Sequence, residues 1–193
     1  MEQILKNDLR YIKTHEAIHT VFRKMIANKP YKKISVTELT QAAKINRKTF
    51  YLHYVSLDDL LAEMYNDINT EIIEKIKHFE IPMDLEEMIY ILFEYWSTLP
   101  PIERKICKYA AECSVGLTFA QQMRKRNFNY TAGLLAGSSP ERNFLFVFIM
   151  NTIAALYQEW RDYHTDMSLQ DAVNMTFKFI CNGISGFEKK SSN

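Results

Sequence analysis

Apolar side chains recur at helical spacing along most of the chain. Ile18, Val21, Phe22 and Met25 share one face of a first helix expected from Asp8 to Asn28. Pro30 disfavours helix at Lys29 and stops it within NKPYKK. Ser35 and Glu38 read as the S-x-x-E capping box of a short second helix, with Val36, Leu39 and Ala43 on one face. The pattern breaks near Lys44 and Ile45, and Asn46 then caps a third helix from Arg47 to about Tyr54. Phe50 and Tyr54 fall on its inner face. Ser56 opens a long fourth helix, Leu57 to about Phe79, with Asp58 and Asp59 at its positive end.

The same reading carries on beyond IPMD. A helix is expected from Leu85 to Ser97, and another begins near Ile102 after LPP. Residues 103–136 read as helical with unclear limits, and breaks fall at Gly116 and Gly133. Ser139, Pro140 and Glu141 mark a clean helix start, and that helix runs to about Tyr163. A last helix runs from Ser168 to near Gly186. No segment alternates as a strand does. The expectation is an all-α chain of about nine helices.

Composition agrees. The 193 residues are 47% hydrophobic, with five Gly and five Pro, so a sizeable core can form and turns are few. Net charge is +1, but it is unevenly spread. Residues 1–54 hold 11 Lys and Arg against 4 Asp and Glu, a difference of +7, and residues 55–193 hold 13 against 19, a difference of −6. A basic head on an acidic body fits an anion-binding module joined to something else. Two domains are therefore expected, 1–54 and 55–193. Cys107, Cys113 and Cys181 include no CxxC pair and read as buried free thiols in a reducing compartment. The start MEQILKNDLRYIK has no signal-peptide core. The longest apolar run, Phe144 to Met150, falls well short of the ~20 residues a bilayer span needs. A cytoplasmic protein without membrane contact is expected.

Two short helices joined by a tight turn, braced by a first helix, make a helix-turn-helix candidate. The third helix would offer Arg47, Lys48 and Thr49 to the major groove. Arg and Lys donate to guanine O6 and N7, and Thr can hydrogen-bond or meet a thymine methyl. Tyr51 and His53 sit where phosphate oxygens come within reach. ISVTELTQAAKINRKTFYLHYVSLDDLL, with EAIHTVFRKMIANKPYKKISV before it, resembles the DNA-binding signature of the tetracycline-repressor (TetR) family of transcriptional regulators. The motif covers roughly residues 14–61. The resemblance implies a homodimer, two recognition helices on one DNA face, a palindromic operator and a C-terminal domain that senses a small molecule. Carried over, it gives Arg47, Lys48 and Thr49 contact with bases or nearby phosphates, and Tyr51, His53 and Thr37 contact with the phosphate backbone. Two positions depart from the family pattern. Lys44 stands where the turn often has glycine, and Leu57 where the fourth helix often starts with a lysine. Lys44 and Lys48 can add charge in compensation.

The remaining patterns carry less. HEAIH, His15 to His19, matches the H-E-x-x-H of zinc proteases at three fixed positions. No third ligand is evident beyond it, and neither a metal nor another cofactor is expected. No GxSxG, P-loop or GxGxxG occurs, so no enzyme is expected. RKR at 124–126 reads as a solvated helix surface, or as a contact for an anionic ligand or partner. In the body, Phe93, Trp96 and Phe119 are candidates to line a pocket for a small apolar or aromatic ligand. NFLFVFIMNTIAALYQEW is apolar nearly all round and must be covered on every side. A four-helix dimer interface is expected from Phe148, Thr152 and Leu156 on this helix with Phe177, Ile180 and Ile184 on the last. The reading is a dimeric, ligand-responsive repressor. Its alternative is a helical small-molecule-binding or protein-interaction module without DNA function.

Overall fold

The computed structural model describes residues 9–113, 121–123, 139–163 and 166–184. Among them, besides a further helical piece at 121–123, stand eight α-helices and one 3-10 turn. These are α1 (Leu9–Asn28), the 3-10 turn (Tyr31–Lys33), α2 (Val36–Ala42), α3 (Arg47–His53), α4 (Leu57–Ile76), α5 (Leu85–Thr98), α6 (Pro101–Glu112), α7 (Ser139–Tyr163) and α8 (Leu169–Ile184). No strand occurs among the described residues. No helix among them is long and apolar enough to cross a membrane.

The helix limits follow the local chemistry. Ser35 accepts from the Glu38 N–H while the Glu38 carboxylate accepts from the Ser35 N–H, so the capping box is complete. The Asn46 side chain accepts from the Thr49 N–H at 2.7 Å. Ser56 Oγ accepts from the Asp59 N–H at 3.1 Å, and Ser168 Oγ accepts from that of Asp171 at 3.1 Å. α4 stops at Ile76, short of the Phe79 expected. A turn bond from the Phe79 N–H to the Ile76 carbonyl replaces the helical ladder there, ahead of Pro82, which cannot continue it. Pro101 sits in the first turn of α6, where its missing N–H costs nothing. Gly133 and the RKR cluster lie outside the described residues, as do Gly116 and Gly186.

The chain divides into two compact units, Met1–Ile68 with Pro100–Gly116, and Asn69–Leu99 with Leu117–Asn193. The first unit extends past residue 54. Its core joins Ile18, Phe22 and Ile26 of α1 to Leu39, Phe50 and Tyr54, to Leu60, Leu61 and Met64 of α4, and to Ile106 and Ala110 of α6. α1 packs on α2 and α6, and α2 packs on α3. The second unit has its own core, in which α8 packs on both α5 and α7. Phe93 stacks on Trp160 with ring centroids 5.8 Å apart and meets Tyr157 edge-on at 5.3 Å.

Candidate nucleic-acid interface

The turn between α2 and α3 sets the direction of everything after it. The Ile45 N–H reaches the Thr40 carbonyl at 3.0 Å, and the Lys44 N–H reaches that of Gln41 at 3.1 Å. These are the two bonds of a Schellman ending, which needs a left-handed residue just past the cap. That residue is Lys44, with φ of 54°. Glycine takes this conformation freely, whereas a side chain with a Cβ meets the following carbonyl. The departure seen at Lys44 in the sequence is thus a backbone held against its preference.

Beyond the turn, α3 is anchored by its apolar face. Phe50 is fully buried and Tyr54 nearly so. The Tyr54 hydroxyl donates to Glu63 Oε1 at 2.7 Å and lies 2.9 Å from His19 Nε2. The same carboxylate oxygen is 2.8 Å from His15 Nε2 and 3.0 Å from His19 Nε2. Burial alone would raise the Glu63 carboxyl, but hydrogen bonds from His19, Tyr54 and His15 outweigh it and pull it down to about 2. α1, α4 and the end of α3 are tied at one point.

The opposite face of α3 is cationic. Thr37, Lys44, Arg47 and Lys48 are exposed and Thr49 is partly so. The Lys44 and Lys48 side chains make no hydrogen bond or ion pair among the described residues. Arg47 lies over the Tyr51 ring at 5.9 Å and donates to its hydroxyl at 3.2 Å. The Thr49 hydroxyl bonds Asn46 Oδ1 at 3.0 Å. His53 differs from the rest. It is half-buried, stacked on Tyr11 with centroids 4.0 Å apart, and its Nδ1 has no hydrogen-bond partner. Burial first, and His15 next, lower its pKa and favour the neutral ring. Two further cations were missed in the sequence. Arg10 and Lys13 of α1 line a shallow groove with Leu9, Thr14, Ala17 and Ile45, next to the turn. Their i, i+3 spacing on a basic helix was the available signal.

In the second unit the candidates separate. Phe93 is fully buried and Trp96 is 7% exposed, so both are core residues. The Trp96 indole donates to Asn69 at 3.3 Å. Phe119 lies outside the described residues. Phe148 is 47% exposed, Thr152, Leu156 and Phe177 are half-buried, and Ile180 is fully buried in its own core. The Ile184 side chain lies outside what is described. Phe144, Met175 and Phe179 add to the exposed apolar surface of α7 and α8. Two clefts follow these helices. One of about 480 Å³ lies between Phe144, Phe148 and Gly183, and one of about 240 Å³ lies between Trp160, Met175 and Phe179.

Among the described residues the first unit carries a helix-turn-helix and the second is helical, so the architecture is that of a two-unit all-α protein. Comparison with known proteins narrows this. No protein-family model matches the chain. A FadR of Thermus thermophilus, described as a TetR-family transcriptional repressor in complex with lauroyl-CoA, superposes with a TM-score of 0.54 at 13% identity, over 88% of this chain and 94% of that one. NalD of Pseudomonas aeruginosa, the secondary repressor of the MexAB-OprM multidrug efflux pump, gives 0.52 at 16% identity, over 93% and 98%. The chain has the fold of the TetR-family transcriptional regulators. In sequence it is 30% identical over 99 residues to the uncharacterized HTH-type transcriptional regulator YxbF of Bacillus subtilis, which is 48% of this chain and 26% of that protein. The chain thus spans about a quarter of that relative's length.

Proposed function

We propose that the chain is a TetR-family regulator, a cytoplasmic homodimer that represses transcription from a palindromic operator and lets go when a small molecule binds its second unit. The observation that carries this reading is the exposed cationic end of α3, with Arg47 and Lys48 set just beyond a capped Schellman turn. Arg47 and Lys48 supply base contacts, with Thr49 beside them. Lys44, Thr37 and Tyr51 meet phosphates. Arg47 first leaves its place over the Tyr51 ring. His53 contributes at most a neutral hydrogen bond, since its ring is held against Tyr11.

Dimer formation rests on the exposed apolar side chains of α7 and α8, which water does not cover favourably. Phe148 is the strongest of the expected interface residues, with half-buried Thr152, Leu156 and Phe177 on the same two helices; Ile184 stays an expectation, and Ile180 is buried in the chain's own core. The ligand reading rests on the apolar clefts along α7 and α8, not on Phe93 and Trp96, which fill the core; Phe119 stays a candidate, and the natural occupant is a small apolar or aromatic molecule. α4 is continuous from the first unit into the second. A ligand-driven shift along it changes the separation of the two heads, which must stand about 34–36 Å apart or a multiple to read one face of DNA.

The test is binding to a palindromic duplex taken from upstream of the protein's own gene, across a range of salt. Arg47→Ala is expected to weaken binding to that duplex by about 5–150-fold, the ~1–3 kcal/mol of one base contact, and to leave non-specific binding nearly unchanged. Equal binding to all duplexes by the unaltered protein sinks the regulator reading and favours a helical module without DNA function.

A further inference from the structure

The histidine pair that the first unit uses to hold α1 against α4 has the composition of a metal site. His15 and His19 stand one helical turn apart on α1, with ring centroids 4.2 Å apart. Both present Nε2 to one carboxylate oxygen, Glu63 Oε1. These three donor atoms all lie within 4.8 Å of one another. The sequence offered only the pair, and the third donor comes from α4, 44 residues beyond His19. Glu16, the base position of the H-E-x-x-H pattern, is exposed and is no part of the cluster. The arrangement therefore points to binding rather than to protease chemistry.

We propose that His15, His19 and Glu63 bind a divalent first-row metal ion of the zinc class, with Tyr54 at or beside its fourth position. Two imidazoles and a carboxylate form a borderline donor set that suits Zn²⁺ and disfavours Mg²⁺ and Ca²⁺, which take mainly oxygen. Ligand bonds of about 2.0–2.1 Å at tetrahedral angles put donor atoms about 3.3 Å apart. The hydrogen-bonded pairs among His15, His19, Glu63 and Tyr54 now stand 2.7–3.0 Å apart and open by a few tenths of an ångström to take the ion, while the His15, His19 and Glu63 donor atoms already lie within 4.8 Å of one another. The side chains of His15, His19 and Glu63 are 32%, 17% and 42% exposed, which leaves an entry path. Asp67, one turn beyond Glu63, lies outside the three-donor cluster and adds only negative charge to its surroundings. On binding, each Nε2 gives its lone pair to the ion. A proton now on Nε2 moves to Nδ1 or leaves to solvent, and Glu63 trades its hydrogen bonds for a bond to the metal. The ion would clamp α1 to α4 at the side chain that ends α3.

The full chain, stripped with a chelator and titrated with Co²⁺ as a spectroscopic stand-in for Zn²⁺, tests the proposal. One Co²⁺ per chain is expected, with the intense visible bands of a four-coordinate N/O site and without thiolate charge-transfer bands. Zn²⁺ is expected to displace it. His15→Ala with His19→Ala abolishes uptake, and Tyr54→Phe weakens it by about 10–100-fold, as loss of a supporting partner does. A second measurement needs no variant. Zn²⁺ protects His15 and His19 of the unaltered chain from acylation by diethylpyrocarbonate, while the exposed His78 reacts as before. No uptake by the stripped chain overturns the proposal. So do thiolate bands, uptake unchanged in the double variant, or equal reactivity of His15 and His19 with and without Zn²⁺.

Discussion

At the scale of the residue, Lys44 is the most exposed to test, because two effects of opposite kind meet there. Its left-handed backbone costs about 1–2 kcal/mol for a residue with a Cβ. Glycine avoids that strain but adds about 0.5–1 kcal/mol of unfolded-state entropy. Lys44→Gly is therefore expected to stabilise the chain by about 0.5–1 kcal/mol, measured as a rise in urea midpoint at constant slope. The same change removes a cation from the proposed DNA face, so the slope of log affinity against log salt falls by about 0.9. A chain made both more stable and less salt-sensitive is a signature that loss of fold cannot imitate. Unchanged stability would mean that the turn relaxes around lysine. The oddity of Lys44 was legible because the family that the motif resembles often has glycine at that turn position. Glu63 was not legible as the partner of His15 and His19, since no local pattern links α1 to α4. His53 was placed on the right helix, but its stacking on Tyr11 depends on how α1 lies across α3, which spacing alone does not give.

Among the elements, α3 is the one whose stability is most local. With seven residues it makes few internal hydrogen bonds and cannot persist alone. It is held by the Asn46 cap at one end, Phe50 in the middle and Tyr54 at the other. Asn46→Ala removes the acceptor of both the Thr49 N–H and the Thr49 hydroxyl. A loss of about 1 kcal/mol is expected on denaturation. Faster amide exchange should appear in residues 47–50 before it appears elsewhere in the first unit, and uniform exchange would show that Phe50 packing alone fixes the helix start. Elements with a cap in the sequence were the well-read ones. α2, α3, α4 and α8 begin beside the Ser or Asn that predicted them. The end of α4 was read three residues too long, because Phe79 continues the apolar pattern after the helical bonds have stopped. The two pocket candidates described, Phe93 and Trp96, show the limit of composition. A large aromatic on a helix can line a cavity or fill a core, and only packing separates the two.

For the whole molecule, the decisive quantity is the apolar surface that one chain leaves uncovered on α7 and α8. Phe144 is 80% exposed, Phe148 47%, Met175 46% and Phe179 58%. Side chains of this size stabilise by about 1.5–3 kcal/mol each when buried, so four of them gathered on two adjacent helices favour a second copy. The all-round apolar character of the α7 sequence foretold this surface, but it could not assign single residues. Ile180 faces the chain's own core, while its neighbour Phe179 faces outward. Phe148→Glu with Phe179→Glu puts charge on the exposed face without entering the core. Sedimentation is expected to report two chains for the unaltered protein and one for the double variant, with helical content by circular dichroism unchanged. Because two linked heads bind far more tightly than one, affinity for the full palindrome should fall by at least about 100-fold, while affinity for a half-site stays the same. If the unaltered chain sediments as a monomer at micromolar concentration, this face serves another partner and the two-headed reading of the operator fails. If the double variant still sediments as two chains, the dimer uses a different surface.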